Sequence, residues 1–503
     1  MLIKLKQQLQ HIGLISSIQS QLSWDQETYM PDASISLRSS QLSWLSKMVH
    51  DLWCASSFQD CLSECVDLST GEILISSLTE EEKSLVSETY KDWKRLSVVP
   101  SSFVADYTKS VSEATHVWQK ARREQSFSMF LPSLKTLIQD TKQLAAYIDS
   151  SKSCYDVLLH EYEPGLTYAK TKGLFDSLKR ECVHMLEHIS KSHHQFTPVS
   201  GVFSSDKQWA FSLRLLELMG FDFSRGRQDK STHPFTSGFH PNDVRLTTRI
   251  KEDNLFECIT STIHEGGHGL YEQGLSTEYF GTPLGQSVSL GIHESQSRFW
   301  ENHVCKHLSF WEGFLSELHQ LFPEQLRHIT SQQLYEHVNQ VVPGLIRIEA
   351  DEITYMLHII IRFECEAALF NDELAVEELP ELWNALYKEY LGVVPSNDGE
   401  GVLQDIHWAS GIFGYFPTYL IGSICSAQLD RALRKDISNV DDMIKSKQWI
   451  PIKEWMDQRV SSFGRQFSPN ELIKRATGED ITETYLLDYL KKKYGAIYGV
   501  HFG

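Results

Sequence analysis

Several features are absent from the 503-residue sequence, and each absence excludes a class of protein. No run approaches the 18 or so apolar residues of a transmembrane helix, and the opening MLIKLKQQLQHIGLISSIQS lacks the continuous apolar core of a signal peptide. No C-x-x-C pair occurs, and the nine cysteines are too irregularly spaced for a disulfide framework. The sequence therefore predicts a soluble, cytoplasmic protein with reduced thiols.

Positive charge is also scarce. Lys and Arg number 47 against 66 Asp and Glu, which gives a formal net charge of −19. Binding to phosphate groups requires clustered cations, so this balance argues against nucleic acid or an anionic membrane as a partner. The excess acid is most simply a solvated surface.

No Gly/Ser-rich linker, low-complexity segment or internal repeat divides the chain. Apolar residues recur at helical spacing through the first 200 residues, for example over 84–96 and 130–148, and strand signals are few. We therefore predict a mainly α protein in which residues 1–503 form one domain. Within it, 1–200 is the helical N-terminal part and 201–503 carries most of the motifs described below.

The pattern changes between residues 231 and 250, where two prolines and a glycine interrupt helical periodicity. Residues 244–250 then alternate and include β-branched side chains, which predicts a strand. One interpretation is a sheet edge along which an extended peptide binds through main-chain hydrogen bonds. The other, equally compatible with the sequence, is a short structural hairpin.

The stretch from Cys258 to Gly274 contains HEGGH, the H-E-x-x-H pattern of zinc hydrolases. On a helix, His264 and His268 share one face about a turn apart, so both imidazoles can bind one metal ion. Glu265 then lies to one side, free to act as a base. With 21 histidines in the chain, a chance match is expected on the order of a few per cent of the time, so the surrounding residues matter.

Three glycines in this segment, Gly266, Gly267 and Gly269, oppose helix formation, each by about 0.8–1 kcal/mol relative to alanine. A surface helix gains nothing from that cost. Close approach of a substrate or of another backbone would explain small residues at these positions.

A catalytic zinc ion typically has three protein ligands, so a third must lie elsewhere. The metzincin pattern is excluded because the chain has Tyr271 and Gly274 where that pattern requires Gly and His. Glu272 lies roughly 12 Å of helix rise from His264, too far to share one ion on a straight helix. Glu294, at the start of another helical pattern, is the better candidate, and neighbouring His293 is the alternative ligand or an orienting residue.

A strongly apolar segment, 341–363, is predicted to form one buried helix opened by Pro343. Arg347 near its start either pairs with Asp351 or presents a cation to a cleft. The order Arg before Asp is the less favourable one on a helix, which favours the cleft. Farther on, 401–408 and 414–422 place His, Asp, Tyr and Gly in loop-prone sequence of the kind that often carries function.

Together these motifs resemble the carboxypeptidase Taq family of metallocarboxypeptidases. The similar segments, in chain order, are WDQETYMP, YDVLLHEYEPG, HPF, DVRLTTR, HEGGH, HESQSR, IRIEADE, GVLQDIHW and GYFPTY. The chain departs from the family pattern at two places, after Met30-Pro31 and at Cys305-Lys306-His307. Both lie outside the ligand motifs, so we expect differences from the family in local packing or dimer contacts and not in chemistry.

The resemblance implies an almost wholly helical homodimer with a deep central groove and a small β element beside the metal helix. It implies one divalent metal ion per subunit, Zn²⁺ or Co²⁺. Its ligands would be His264, His268 and Glu294, and Glu265 would be the general base. The substrate-binding residues would be Arg347, His407 and Tyr419.

From these expectations we predict a metallocarboxypeptidase that hydrolyses the C-terminal peptide bond of peptides with broad specificity. The metal would activate a water, and Glu265 would take its proton and pass it to the leaving amine. Tyr419, His407 or Tyr415 would stabilise the oxyanion. The competing interpretations are an endopeptidase with the same ligands and a non-catalytic protein with a structural metal. The latter is disfavoured because structural zinc sites are usually closed by cysteines.

Overall fold

A computed structural model of the chain describes residues 2–502, and helices dominate it. The α-helices, numbered α1 to α21 in chain order, are Leu2–Thr28, Ile35–Trp53, Ser56–Ser63, Glu80–Ser97, Ser101–Arg123, Phe127–Asp149, Cys154–Tyr162, Tyr168–Ile189, Ser205–Met219, Leu255–Gly274, Leu290–Arg298, Leu308–Leu321, Pro323–Leu326, Ser331–Val338, Glu352–Phe370, Leu379–Leu391, Pro417–Asp436, Val440–Lys445, Ile450–Arg459, Pro469–Thr477 and Thr484–Tyr498. The mainly α prediction is confirmed.

Contacts between residues divide the chain into two compact units. The first contains the chain up to Ser97, Thr197–Val338 and Leu429–Asp480, and it includes α10 and α11. The second contains Val98–Phe196, Asn339–Gln428 and the chain from Ile481 onward, and it includes α15. Each unit is therefore assembled from segments that are far apart in sequence, and a single domain over 1–503 stays a prediction.

The β element of the first unit has three strands, β1 (Gly226–Lys230), β2 (Thr236–His240) and β3 (Asp243–Thr248), in the order β1-β3-β2. β3 is parallel to β1 and antiparallel to β2. Both edges of the predicted strand are thus occupied, and the expectation that it offers an edge to a peptide is wrong. Its antiparallel pairing with β2 matches the hairpin interpretation instead.

The helix predicted from residue 341 begins later. Helix α15 starts at Glu352, because the Asp351 carboxylate accepts hydrogen bonds from the amides of Ile353 and Thr354 and so caps its first turn. Arg347 lies before it in a short 3₁₀ turn, Arg347–Glu349. From Glu352 onward the helix is buried on nearly every face, as its apolar sequence predicts.

Across residues 2–502, every helix is too short or too polar to cross a lipid bilayer.

Candidate functional site

Helix α10 carries the HEGGH motif, and its glycines are explained by packing. A β-carbon at Gly267 would lie 2.7 Å from the carbonyl oxygen of Gln296 and 2.7 Å from Cα of Ser297, so α11 passes directly over this position. A β-carbon at Gly266 would meet Met219 of α9 at 2.8 Å. The sequence left two explanations for the small residues, close approach of a substrate and close approach of another backbone. At Gly267 the second explanation applies.

The close crossing of α10 and α11 brings three candidate ligands together. Donor atoms of His264, His268 and Glu294 all lie within 4.8 Å of one another. The Glu294 Oε2 atom is 3.4 Å from His268 Nε2 and 3.8 Å from His264 Nε2. Two imidazoles and one carboxylate suit a divalent ion such as zinc, and three protein donors leave a coordination position for water.

Two of these side chains are held directly from behind by charged groups. His264 Nδ1 lies 2.8 Å from a Glu301 carboxylate oxygen, and Arg298 Nε donates to Glu294 Oε1 at 2.7 Å. Lys306 also donates to Glu301, at 2.7 Å. Such partners fix the orientation of ligand side chains. Lys306 belongs to the segment that departs from the family pattern, so that segment does contact the charged groups behind the candidate metal ligands, contrary to expectation.

Glu301 owes its position to a π-helical segment, Phe299–Cys305, which follows α11 directly. At its end, the amide of Lys306 donates to the Glu301 carbonyl, five residues back. π-Helical turns are rare and often lie at functional sites. Sequence reasoning did not single out Glu301. One sequence feature could have identified it: Glu301 follows Glu294 by seven residues, a spacing that places two side chains on nearly the same face of a helix.

His293, the alternative third ligand, turns away from the cluster. Its Nδ1 lies 2.6 Å from His268 Nδ1, and its Nε2 lies 2.7 Å from a Glu272 carboxylate oxygen. Both ring nitrogens are thus engaged by protein groups. His293 therefore contacts a candidate ligand, His268, and does not join the group of three.

Glu265 has a different environment from the proposed ligands. Its side chain is buried, and the Thr236 hydroxyl of β2 donates to its Oε2 at 2.6 Å. Burial raises the pKa of Glu265. Its second carboxylate oxygen accepts no hydrogen bond from residues 2–502. A buried carboxylate with one anchored and one unengaged oxygen is suited to accept a proton.

In the second unit, Arg347, His407 and Tyr419 lie close together. The Tyr419 hydroxyl is 3.3 Å from His407 Nε2, and the Arg347 guanidinium lies 5.1 Å from the centroid of the Tyr419 ring. Burial lowers the pKa of His407 to about 4, so its imidazole is neutral above that pH.

Arg347 pairs with Asp405, not with Asp351, so the predicted pairing alternative is wrong. Its Nε and Nη2 both donate to Asp405 Oδ1, at 3.0 and 2.8 Å. Arg362, fully buried, donates to the other oxygen of Asp405 at 2.7 Å. Although burial opposes it, the two guanidinium groups hold the pKa of Asp405 well below its usual range. Two buried cations thus share one anion, which leaves the trio with a net charge of plus one.

Comparisons with known proteins agree along nearly the whole chain. The family model of Carboxypeptidase Taq (M32) metallopeptidase matches residues 4–494. Carboxypeptidase 1 of Bacillus subtilis is 35% identical over 492 residues, 97% of each chain. Thermostable carboxypeptidase 1 of Thermus thermophilus is 36% identical over 496 residues, 96% of each. The crystal structure of M32 carboxypeptidase from Deinococcus radiodurans R1 matches 99% of both chains with a TM-score of 0.95 and 34% identity.

Proposed function

This chain belongs to the carboxypeptidase Taq family of metallopeptidases, and we propose that it removes single residues from the C-terminus of peptides with broad specificity. It is a metallocarboxypeptidase that requires a divalent metal ion. His264, His268 and Glu294 are the proposed ligands, with Zn²⁺ the preferred ion and Co²⁺ an alternative. The observation that carries the proposal is the convergence of these three donors, each held from behind by a polar partner.

A bound divalent ion would supply Lewis acidity toward water and the scissile carbonyl. Glu265 is the proposed general base. It accepts the proton of the attacking water on the oxygen that Thr236 leaves unengaged and later delivers that proton to the leaving amine. Thr236 prevents the carboxylate from rotating, so the accepting oxygen keeps its orientation.

Arg347 is the proposed receptor for the free α-carboxylate of the peptide. Its Nη1 makes no hydrogen bond to residues 2–502, while Nε and Nη2 are fixed by Asp405. The net positive charge of the buried trio Arg347, Arg362 and Asp405 favours an incoming anion, because a buried charge is stabilised by an opposite one. A guanidinium also offers a planar, permanently charged match to a carboxylate.

His407 and Tyr419 are the proposed polar contacts for the substrate carbonyl, with Tyr415 as a third candidate. His407 acts as a neutral hydrogen-bonding group in this account, since its pKa is lowered to about 4 by burial. One well-placed donor to a developing oxyanion contributes about 3–4 kcal/mol of transition-state stabilisation.

A cytoplasmic location and a homodimer complete the proposal. Residues 2–502 contain no disulfide bond, which suits a reducing compartment. The antiparallel helices α1 and α2 expose Leu14, Ile18, Leu37 and Trp44, each at least half accessible to solvent. Large apolar side chains grouped on one pair of helices are typical of a surface that a partner covers.

The experiment that tests the carboxypeptidase proposal compares one peptide with a free and with an amidated C-terminus. Mass spectrometry of the products should show residues lost singly from the free peptide and strongly slowed cleavage of the amidated one. Arg347→Lys should impair cleavage of the free peptide about tenfold or more, because an ammonium cannot reproduce the guanidinium fork. The same substitution should change cleavage of the amidated peptide little.

Internal cleavage of the amidated peptide at an undiminished rate would instead favour an endopeptidase with the same metal ligands. If amidation matters and Arg347→Lys does not, the carboxylate is bound by another cation. Arg245 and Arg249 of the DVRLTTR segment are the next candidates, although both already contact other side chains. Arg245 is paired with Asp243 and stacked on Trp24 and Phe239, and Arg249 lies 3.5 Å from Glu257.

A further inference from the structure

His268 and His264 are held in different ways. Behind His264 stands a carboxylate, Glu301, which Lys306 and Arg298 also contact. Behind His268 stands a second imidazole, His293, and a carboxylate follows only after it, at Glu272. Glu272 lies four residues after His268 on α10, so both face α11, and His293 bridges them across the crossing of the two helices.

One arrangement of protons satisfies this chain of contacts with His268 able to bind a metal. An ionised Glu272 only accepts, so His293 Nε2 carries a proton and donates it. A neutral His293 then accepts at Nδ1, so the proton between the two rings belongs to His268 Nδ1. His268 Nε2 is left bare, and it is this nitrogen that lies 3.4 Å from Glu294 Oε2 within the candidate metal cluster. The opposite arrangement would place a proton on the nitrogen that must bind the ion.

Glu272 has no other evident partner. Among residues 2–502 its carboxylate is hydrogen-bonded to His293 alone and forms no ion pair with a lysine or arginine. Its side chain is only 18% exposed, and a largely buried carboxylate without a cation costs stability. The fold also makes room for it, because a β-carbon at Gly238 of β2 would lie 2.2 Å from Glu272 Oε2.

We propose that Glu272 is a positioning residue for the metal. Through His293 it holds His268 in the tautomer with a proton on Nδ1 and keeps Nε2 available as a ligand. The inference rests on the proposed ligand role of His268. Glu272 is too far along α10 to bind the same ion as His264. It acts on the ion indirectly, through His293 and then His268.

The test is the affinity for Zn²⁺, measured by competition with a chromogenic chelator on the full-length protein. Glu272→Leu removes the acceptor and should weaken zinc binding about 10- to 100-fold, the range found for outer partners of metal ligands. Glu272→Gln keeps an acceptor oxygen and should stay within about threefold of the unmodified protein. Glu257→Leu makes the matched change on the same helix, away from the site, and should leave the affinity unchanged.

A double variant shows whether the two residues act in series. If Glu272 works only through His293, then His293→Phe combined with Glu272→Leu weakens zinc binding no more than His293→Phe alone. We call the series Glu272, His293 and His268 the relay. If the losses of zinc affinity in the two single variants multiply in the double variant, the relay is overturned, and the same holds if Glu272→Leu leaves the affinity unchanged. Thermal unfolding of the metal-free proteins identifies any variant that fails to fold. If Glu272→Leu fails, His293→Phe decides the question, since it breaks the same series of contacts and should weaken zinc binding about 10- to 100-fold.

Failure of the metal site itself gives a separate result. Glu294→Ala should abolish tight zinc binding, since it removes a ligand. If Glu294→Ala binds zinc as tightly as the unmodified protein, the proposed ligand set is wrong and the relay falls with it. A different result is that Glu294→Ala loses zinc binding while Glu272→Leu and His293→Phe keep the zinc affinity of the unmodified protein. In that case the proposed ligand set stands and only the relay is overturned.

Discussion

Among the residues of the HEGGH motif, Glu265 differs from its neighbours in what holds it. The two histidines are backed by groups that orient a metal ligand, whereas Glu265 is held by one neutral hydroxyl, from Thr236. A single neutral hydrogen bond fixes the side chain without supplying a counter-charge. The environment therefore suits a proton carrier better than a fourth ligand.

Glu265→Gln should lower kcat by at least about a hundredfold while zinc affinity and the unfolding midpoint stay unchanged. The amide is close to the carboxylate in shape but cannot accept the water proton, and general-base catalysis contributes about 10² to 10⁴ in rate. Steady-state kinetics on a free peptide, together with zinc titration, measures both quantities. Near-normal turnover in a zinc-loaded variant would remove Glu265 from the mechanism.

The sequence predicted which residues come together but not how they are supported. The spacing of His264 and His268 is a local helical property, and the structure has both on one face of α10. The choice between His293 and Glu294 depends on how α11 is rotated against α10, which spacing along one chain does not determine. Asp405 was not identified as the anion shared by Arg347 and Arg362, because it lies 58 residues from the first and 43 from the second in sequence.

At the scale of elements, the crossing of α10 and α11 determines the geometry of the metal cluster. Gly267 allows the backbone of α11 to lie close enough for Glu294 to reach both histidines. The same crossing places His293 against His268. A glycine that looks like a defect in an isolated helix is thus required by the packing of the next one.

Gly267→Ala should destabilise the fold by about 1–3 kcal/mol, because the new methyl group would meet the backbone of α11 rather than a flexible side chain. It should also weaken zinc binding as Glu294 is displaced. Urea unfolding and zinc titration provide the two readouts. Gly173→Ala in α8 is the matched control, since a β-carbon there meets nothing within 4 Å. If Gly267→Ala matched this control in both measurements, the crossing would not depend on the glycine.

Element boundaries were the less predictable part of the fold. The apolar segment 341–363 has a helical pattern throughout, yet α15 begins only at Glu352, because the Asp351 side chain caps it. The π-helical segment that places Glu301 has no sequence signature that separates it from an ordinary helix turn. In both places a local competition between hydrogen bonds decides the outcome, and apolar periodicity does not report on it.

At the scale of the whole molecule, the exposed apolar side chains of α1 and α2 are a feature that the fold of one chain does not explain. Trp44 and Leu37 are each more than 60% exposed, although both helices pack against each other through other residues. Tryptophan is among the residues that contribute most to protein interfaces. Burial of these side chains against a second copy is the basis of the homodimer proposal.

Trp44→Glu should weaken the dimer roughly 30-fold or more, which corresponds to about 2 kcal/mol for a residue at the centre of an interface. Sedimentation velocity over a range of protein concentrations measures the change. Ser43→Glu adds the same charge to a neighbouring, exposed position of α2 and serves as the control. A dimer equally stable in both variants would place the interface elsewhere, and a monomer at all concentrations would contradict the homodimer.

The identity and position of the metal ion decide whether His264, His268 and Glu294 form the metal site. A crystal of the zinc-loaded protein, measured at the zinc absorption edge, locates the ion by its anomalous scattering. We expect one strong peak per chain at about 2.0–2.2 Å from His264 Nε2, His268 Nε2 and a Glu294 carboxylate oxygen, the usual zinc distances for these donors. A peak bound by His293 in place of Glu294, or no peak at these three residues in a catalytically active preparation, would contradict it.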